Sequence, residues 1–166
     1  MKFPICSVCL KNNILCNACA EKVGEKEIKI DEIKIYRRLN RFLKDQKTLK
    51  SVEIKRIVGN NMLLIVTEKN DAAKLIGRDG RIVKKLAKEL GRPVRIVEQP
   101  SKLKDFVNDV FFTVPILGIN VVYKPEGELY RIRIPKTERT KLPVSSDIFI
   151  DVSKSLFHVD TEVIFE

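Results

Sequence analysis

Several residue types that enzymes and secreted proteins depend on are scarce here. The chain of 166 residues has one histidine and no tryptophan, and its four cysteines all fall within residues 6–19. The lone His158 stands beside Phe157 with no serine, cysteine or aspartate pattern to make a triad. No Walker loop, HExxH motif or paired-acid signature occurs, so the chain reads as non-enzymatic. No run of about 18 apolar residues exists, which argues against a membrane span or a membrane partner. The opening MKFPICSVC lacks the apolar core of a signal peptide, and a cytoplasmic location is expected. Only seven glycines are present, and none follows Gly127.

What is abundant is positive charge, and it is unevenly spread. The net charge is +10. Residues 25–100 carry twenty basic and eleven acidic side chains, whereas residues 101–166 carry nine and ten. A basic balance alone often means only solubility. Concentration in one segment favours a polyanionic partner. An apolar fraction of 44% supports folded cores.

The cysteines are spaced Cys6-x2-Cys9-x6-Cys16-x2-Cys19. Two CxxC pairs supply four thiolates, enough to close a tetrahedron around one structural Zn2+ per chain. The neighbouring Val8, Leu10, Ile14 and Leu15 are too few to form a core, so metal would order the segment. Two disulfides, a redox CxxC, or iron in the same cage are the alternatives. Four thiolates leave no open coordination position, which disfavours a catalytic metal. Residues 1–24 are therefore read as a small zinc knuckle, followed by a charged linker over residues 20–30.

A helix is expected from Asp31 to about Gln46, burying Ile35, Tyr36, Leu39, Phe42 and Leu43. Arg37, Arg38 and Arg41 either extend a basic surface or lie on a solvated face. Residues 51–57 and 62–68 read as a hairpin around Gly59-Asn60-Asn61. Asp71 then starts a short helix over residues 72–76. Gly77-Arg78-Asp79-Gly80 breaks it, and a second helix runs from Arg81 to Leu90 and ends at Gly91. Ile82, Val83, Leu86 and Leu90 share one face of that helix; Arg81, Lys84, Lys85 and Lys88 lie on the other. A strand follows at residues 94–97.

A glycine-bordered bend lets a phosphate backbone come close, and the following helix N-terminus favours the anion. Arg78 is the loop's expected phosphate contact, and Asp79 is expected to cap the second helix. With no aromatic residue in 71–98, bases would rest on Ile76, Ile82 and Val83. The competing reading is a helical hairpin with a glycine turn and a solvated basic face. Residues 101–166 repeat part of the order: a short helix near 103–112, strands at 119–123 and 129–134, a helix at 147–158 with Ile148, Val152 and Leu156 on one face, and a strand at 161–165. Residues 136–146 take the place of the glycine bend. An unrelated small α+β domain is the alternative.

The helix–GxxG–helix element, Ile76-Gly77-Arg78-Asp79-Gly80, resembles that of a KH domain, in its type II order. Residues 31–166, with ELGRPVRIVEQPSKLKDFVNDVF between the two units, resemble archaeal NusA-like proteins, and CSVCLKNNILCNAC is similar to a segment preceding the KH units in some members. The resemblance implies an α+β chain: a zinc knuckle (1–24), a type II KH domain (25–100), and a degenerate KH-like domain lacking GxxG (101–166). It implies binding of single-stranded RNA, or single-stranded DNA, in transcription elongation or termination or in RNA processing. The expected contacts are Ile76, Gly77, Arg78, Asp79, Gly80, Arg81, Lys84 and Lys85. The rival function is a zinc-knuckle adaptor docking on RNA polymerase or an RNA-processing or RNA-degrading complex.

Overall fold

A computed structural model of the chain describes residues 1–44, 46–59 and 61–166. Asn60 of the expected hairpin turn, and Asp45 near the expected end of the long helix, lie outside the described residues. The chain is mixed α+β and divides into two compact units. The first comprises Met1–Val58 and Leu63–Glu98, and the second Gly59–Met62 and Gln99–Glu166.

In the first unit, α1 (Ser7–Lys11) and α2 (Asn17–Gly24) carry the cysteines. The stretch read as a linker is thus helical through Gly24, and Ile28 beyond it is buried. Glu21 is exposed on that helix and Glu25, Lys26, Glu27 and Lys29 are exposed beyond it, so composition alone resembles a loop. Next come α3 (Ile30–Leu43), β1 (Ile54–Val58), β2 (Leu63–Thr67), α4 (Ala72–Ile76), α5 (Arg81–Leu90) and β3 (Val94–Glu98). β1 pairs antiparallel with β2, and β2 pairs parallel with β3. The parallel pair needs a crossover, and α4, the Gly77–Gly80 bend and α5 supply it. Lys2 bridges Glu53 in parallel just before β1, and the Ile54 amide donates to the Lys2 carbonyl at 2.9 Å.

The helices put one continuous core against this sheet. Ile33, Tyr36, Leu39 and Leu43 of α3 join Ile54, Ile57, Ile65, Leu75, Leu86 and Leu90. Ile33 is buried where Ile35 was expected, and Ile35 and Phe42 are only half-buried. The face is rotated because Glu32 is also taken inside. Its carboxylate accepts from Arg56 at 2.7 and 3.1 Å, from the Tyr36 hydroxyl at 2.8 Å and from the Lys29 amide at 3.2 Å. Burial, and then the Glu32 carboxylate, hold the Tyr36 phenol well above its ordinary pKa.

The Glu32–Arg56 pair carries a stability prediction. Arg56→Met leaves a buried carboxylate without its countercharge and should cost about 3–5 kcal/mol in a denaturant titration. Adding Glu32→Gln to that variant should recover most of the loss, because no charge then remains buried and the amide oxygen still accepts the Tyr36 hydroxyl. A double variant as unstable as Arg56→Met would contradict this account.

The second unit contains α6 (Leu103–Val110), β4 (Gly118–Lys124), β5 (Gly127–Ile134), α7 (Ser146–Phe157) and β6 (Asp160–Phe165). Its sheet repeats the first: β4 antiparallel to β5, β5 parallel to β6. A 3-10 turn over Lys136–Lys141 stands in the crossover before α7. The core holds Phe106, Phe111 and Phe149, with ring centroids 5.8 Å (Phe106–Phe149) and 4.8 Å (Phe111–Phe149) apart. Packing of Phe149 turns α7, so Phe149, Val152 and Ser153 are buried while Ile148 and Leu156 are only half-buried.

Candidate metal centre and nucleic-acid interface

Each CxxC pair begins a helix. Cys6 caps the N-terminus of α1, its sulfur accepting the Cys9 amide at 3.5 Å, and Cys16 stands at the N-cap of α2. The pairs are then cross-linked: the Cys6 amide donates to Cys19 Sγ at 3.4 Å, and the Cys16 amide to Cys9 Sγ at 3.2 Å. All four sulfurs lie within 4.8 Å of one another, and no disulfide joins them. The Cys6 and Cys16 sulfurs are 4.0 Å apart. A tetrahedral cage with Zn–S of about 2.3 Å needs sulfurs about 3.8 Å apart, so Cys6, Cys9, Cys16 and Cys19 could hold a metal ion.

The electrostatics agree with that donor set. The Cys9 amide, followed by its side chain, lowers the Cys6 thiol to about 7. The Cys16 amide pulls the Cys9 thiol down, but burial and the neighbouring sulfurs outweigh it and push the group up to about 12. Burial also raises Cys19. Four thiolates this close repel one another unless a cation sits among them, and a metal supplies that charge.

The segment is not held by its cysteines alone. Ile5, Cys9, Leu10 and Cys19 belong to the same core as α3. Arg37 Nε donates to the Cys9 carbonyl at 2.9 Å, and Lys22 Nζ to the Pro4 carbonyl at 3.0 Å. Sequence reasoning missed the Arg37 link, because arginine on a helix reads as surface charge. Val8 and Ile14 remain exposed, at 59% and 83%.

Between α4 and α5 the chain makes a tight bend. Gly77, Asp79 and Gly80 all have positive φ, at 72°, 55° and 70°. A Cβ on Gly77 would stand 2.7 Å from Ile82 Cγ1, so glycine is required there by space as well as by φ. Asp79 occupies the left-handed region, which aspartate tolerates better than most residues. Its side chain does not cap α5, whose N-cap is Gly80. Asp71 likewise makes no side-chain cap for α4; its carboxylate accepts from the Glu53 amide at 2.9 Å and from Lys74 at 2.6 Å. In each case position predicted a cap, but a tertiary partner (Asp71) or a strained backbone (Asp79) took precedence.

Arg78, Asp79, Arg81, Lys84 and Lys85 are exposed around the bend. Lys84 Nζ reaches back to the Asp79 carbonyl at 3.3 Å. Ile76 is 37% exposed, and Ile82 and Val83 are half-buried. The structure therefore brings all eight expected contact residues to one bend and the start of one helix. Of the three arginines on α3, Arg37 and Arg38 are engaged within the fold, the latter with Glu89 at 3.2 Å, while Arg41 is exposed.

Fold and site together define a two-unit α+β protein with a repeated sheet topology and a four-cysteine cluster able to hold a metal. Among the described residues no helix is long and apolar enough to cross a membrane. No protein-family model matches the chain, and no curated protein does. Among solved structures the chain is similar to one described as "Crystal structure of APE1850", with 23% identity and a TM-score of 0.52, over 84% of this chain and all of that one. At that identity the likeness speaks for the fold alone.

Proposed function

We propose that this chain is a non-enzymatic RNA-binding protein of the NusA-like KH type, gripping single-stranded RNA at the Gly77–Gly80 bend, with a structural zinc held by Cys6, Cys9, Cys16 and Cys19. The observation that carries the reading is the bend itself: two half-buried positive-φ glycines flanking exposed Arg78 and Asp79, and bordered by exposed Arg81, Lys84 and Lys85. The order helix, strand, strand, helix, bend, helix, strand supports it. The Ile76, Ile82 and Val83 strip would meet the bases. The second unit would lack a clamp of this kind, because its crossover has no glycine. Transcription or RNA processing is the role that the reading implies.

Titration of labelled single-stranded RNA at several salt concentrations tests it. Four phosphate contacts on a single strand give a log–log slope near −3, by the single-strand coefficient of about −0.7 per phosphate. Affinity should fall roughly fifty-fold between about 50 and 200 mM salt. Binding that ignores salt would overturn the reading. A second reading, a protein-docking adaptor, draws on the exposed Val8 and Ile14 beside the cysteines. It expects no salt-sensitive RNA binding and loss of complex formation with Ile14→Asp.

A further inference from the structure

Two adjacent arginines on α3 reach in different directions. Successive residues of a helix point about 100° apart, so one helix can link two neighbours. Arg37 donates to the Cys9 carbonyl on the cysteine side at 2.9 Å. Arg38 donates to Glu89 of α5, through Nε to the carboxylate at 3.2 Å and through Nη2 to the main-chain carbonyl. The links run over a shared core, in which Ile5, Cys9 and Leu10 join Leu39 of α3 and Leu86 and Leu90 of α5. α5 is the helix whose first residue, Arg81, closes the Gly77–Gly80 bend.

We infer that metal occupancy of the four-cysteine site regulates the bend, transmitted through α3. The inference rests on the proposed function of that bend and names its regulation. The element with two states is the cysteine segment, ordered with metal and loosened without it. The differential interaction sits at Arg37. Four thiolates around a divalent ion leave two negative charges in excess, and Arg37 is hydrogen-bonded to the main chain of one ligand. Its Nη2 is buried with no hydrogen-bond partner among the described residues. The guanidinium is therefore held more firmly when the site is loaded. When the segment loosens, α3 loses that anchor and the packing of Ile5 and Leu10, and α5 loses part of the support it takes from α3 through Arg38 and the shared core. Coupling of this kind spans about 5- to 150-fold in affinity, and by linkage RNA would tighten metal binding by the same factor.

The test compares full-length protein loaded with zinc and the same protein treated with a chelator, followed by amide hydrogen exchange. Chelation should unprotect residues 6–24 and speed exchange in α5 about tenfold, with an equal loss of affinity for single-stranded RNA. Loaded Arg37→Gln should keep zinc while α5 shifts toward the metal-free exchange rate. Unchanged α5 exchange while residues 6–24 lose protection would overturn the inference, as would a segment that stays protected without metal. A loaded protein that binds no RNA would instead defeat the clamp reading, with α5 exchange still deciding the coupling.

Discussion

With the proposed zinc bound by Cys6, Cys9, Cys16 and Cys19, stripping it is expected to lower the melting temperature of the first unit by roughly 12–24 °C. Structural zinc contributes apparent binding energies of about 10–16 kcal/mol in small folded peptides. Here part of the ordering comes from Ile5 and Leu10 against α3, so only a fraction of that energy is lost. Even about 3 kcal/mol shifts a domain of this size by that interval. Cys9→Ser should reproduce the effect, since Cys9 is fully buried and accepts the Cys16 amide. Acid should do the same, and the sign follows from the protons. Cys9 and Cys19 hold their protons more firmly than an ordinary thiol, and binding must displace them. Metal affinity therefore rises with pH, and the site empties as pH falls. Calorimetry with and without chelator, across pH, checks the claim. A melting temperature indifferent to both would remove the metal from the structural account.

Arg78→Asp should weaken RNA binding about a hundredfold, ~2.8 kcal/mol, with the melting temperature almost unchanged. The change places two acids side by side at Asp79 where a phosphate is proposed to lie. It also removes one cation, so the salt slope should become shallower by about one phosphate contact. Arg78 is exposed, and exposed substitutions of this kind usually alter stability by less than about 0.5 kcal/mol. Gly77→Ala makes a useful contrast. It forces a side chain onto Ile82 and strains φ, so it should lose binding and stability together. Anisotropy titrations paired with thermal melts separate the two outcomes. A folded Arg78→Asp protein with intact affinity would leave the bend without a role in binding.

The features most readily read from the sequence were those written in backbone chemistry. Gly77, Gly80 and Gly91 mark left-handed positions, and Pro93 and the apolar run after it mark a strand, so the helix–bend–helix–strand order emerged with nearly its observed limits. Cysteine spacing alone brought four sulfurs together. Short helices were harder. α1 spans five residues, too few for a period to show, and so the segment was read as knuckle and linker. Long-range polar pairing was invisible. Glu32 finds Arg56 twenty-four residues away and thereby turns the buried face of α3. Asp71 found the Glu53 amide in the same way, against the local logic of a cap.

Both sheets join their second and third strands in parallel, and each crossover between those strands lies outside the ladder. Each passage also supplies core: Leu75, Leu86 and Leu90 in the first unit, Phe149 and Val152 in the second. The first unit sets Gly77–Gly80 between the two helices of its passage, and the second sets the glycine-free stretch 136–145 ahead of α7, on the same strand plan. The two units thus differ in the stretch between packed elements while their strands pair alike, so divergence is concentrated where neither the ladder nor the buried helix faces constrain the chain.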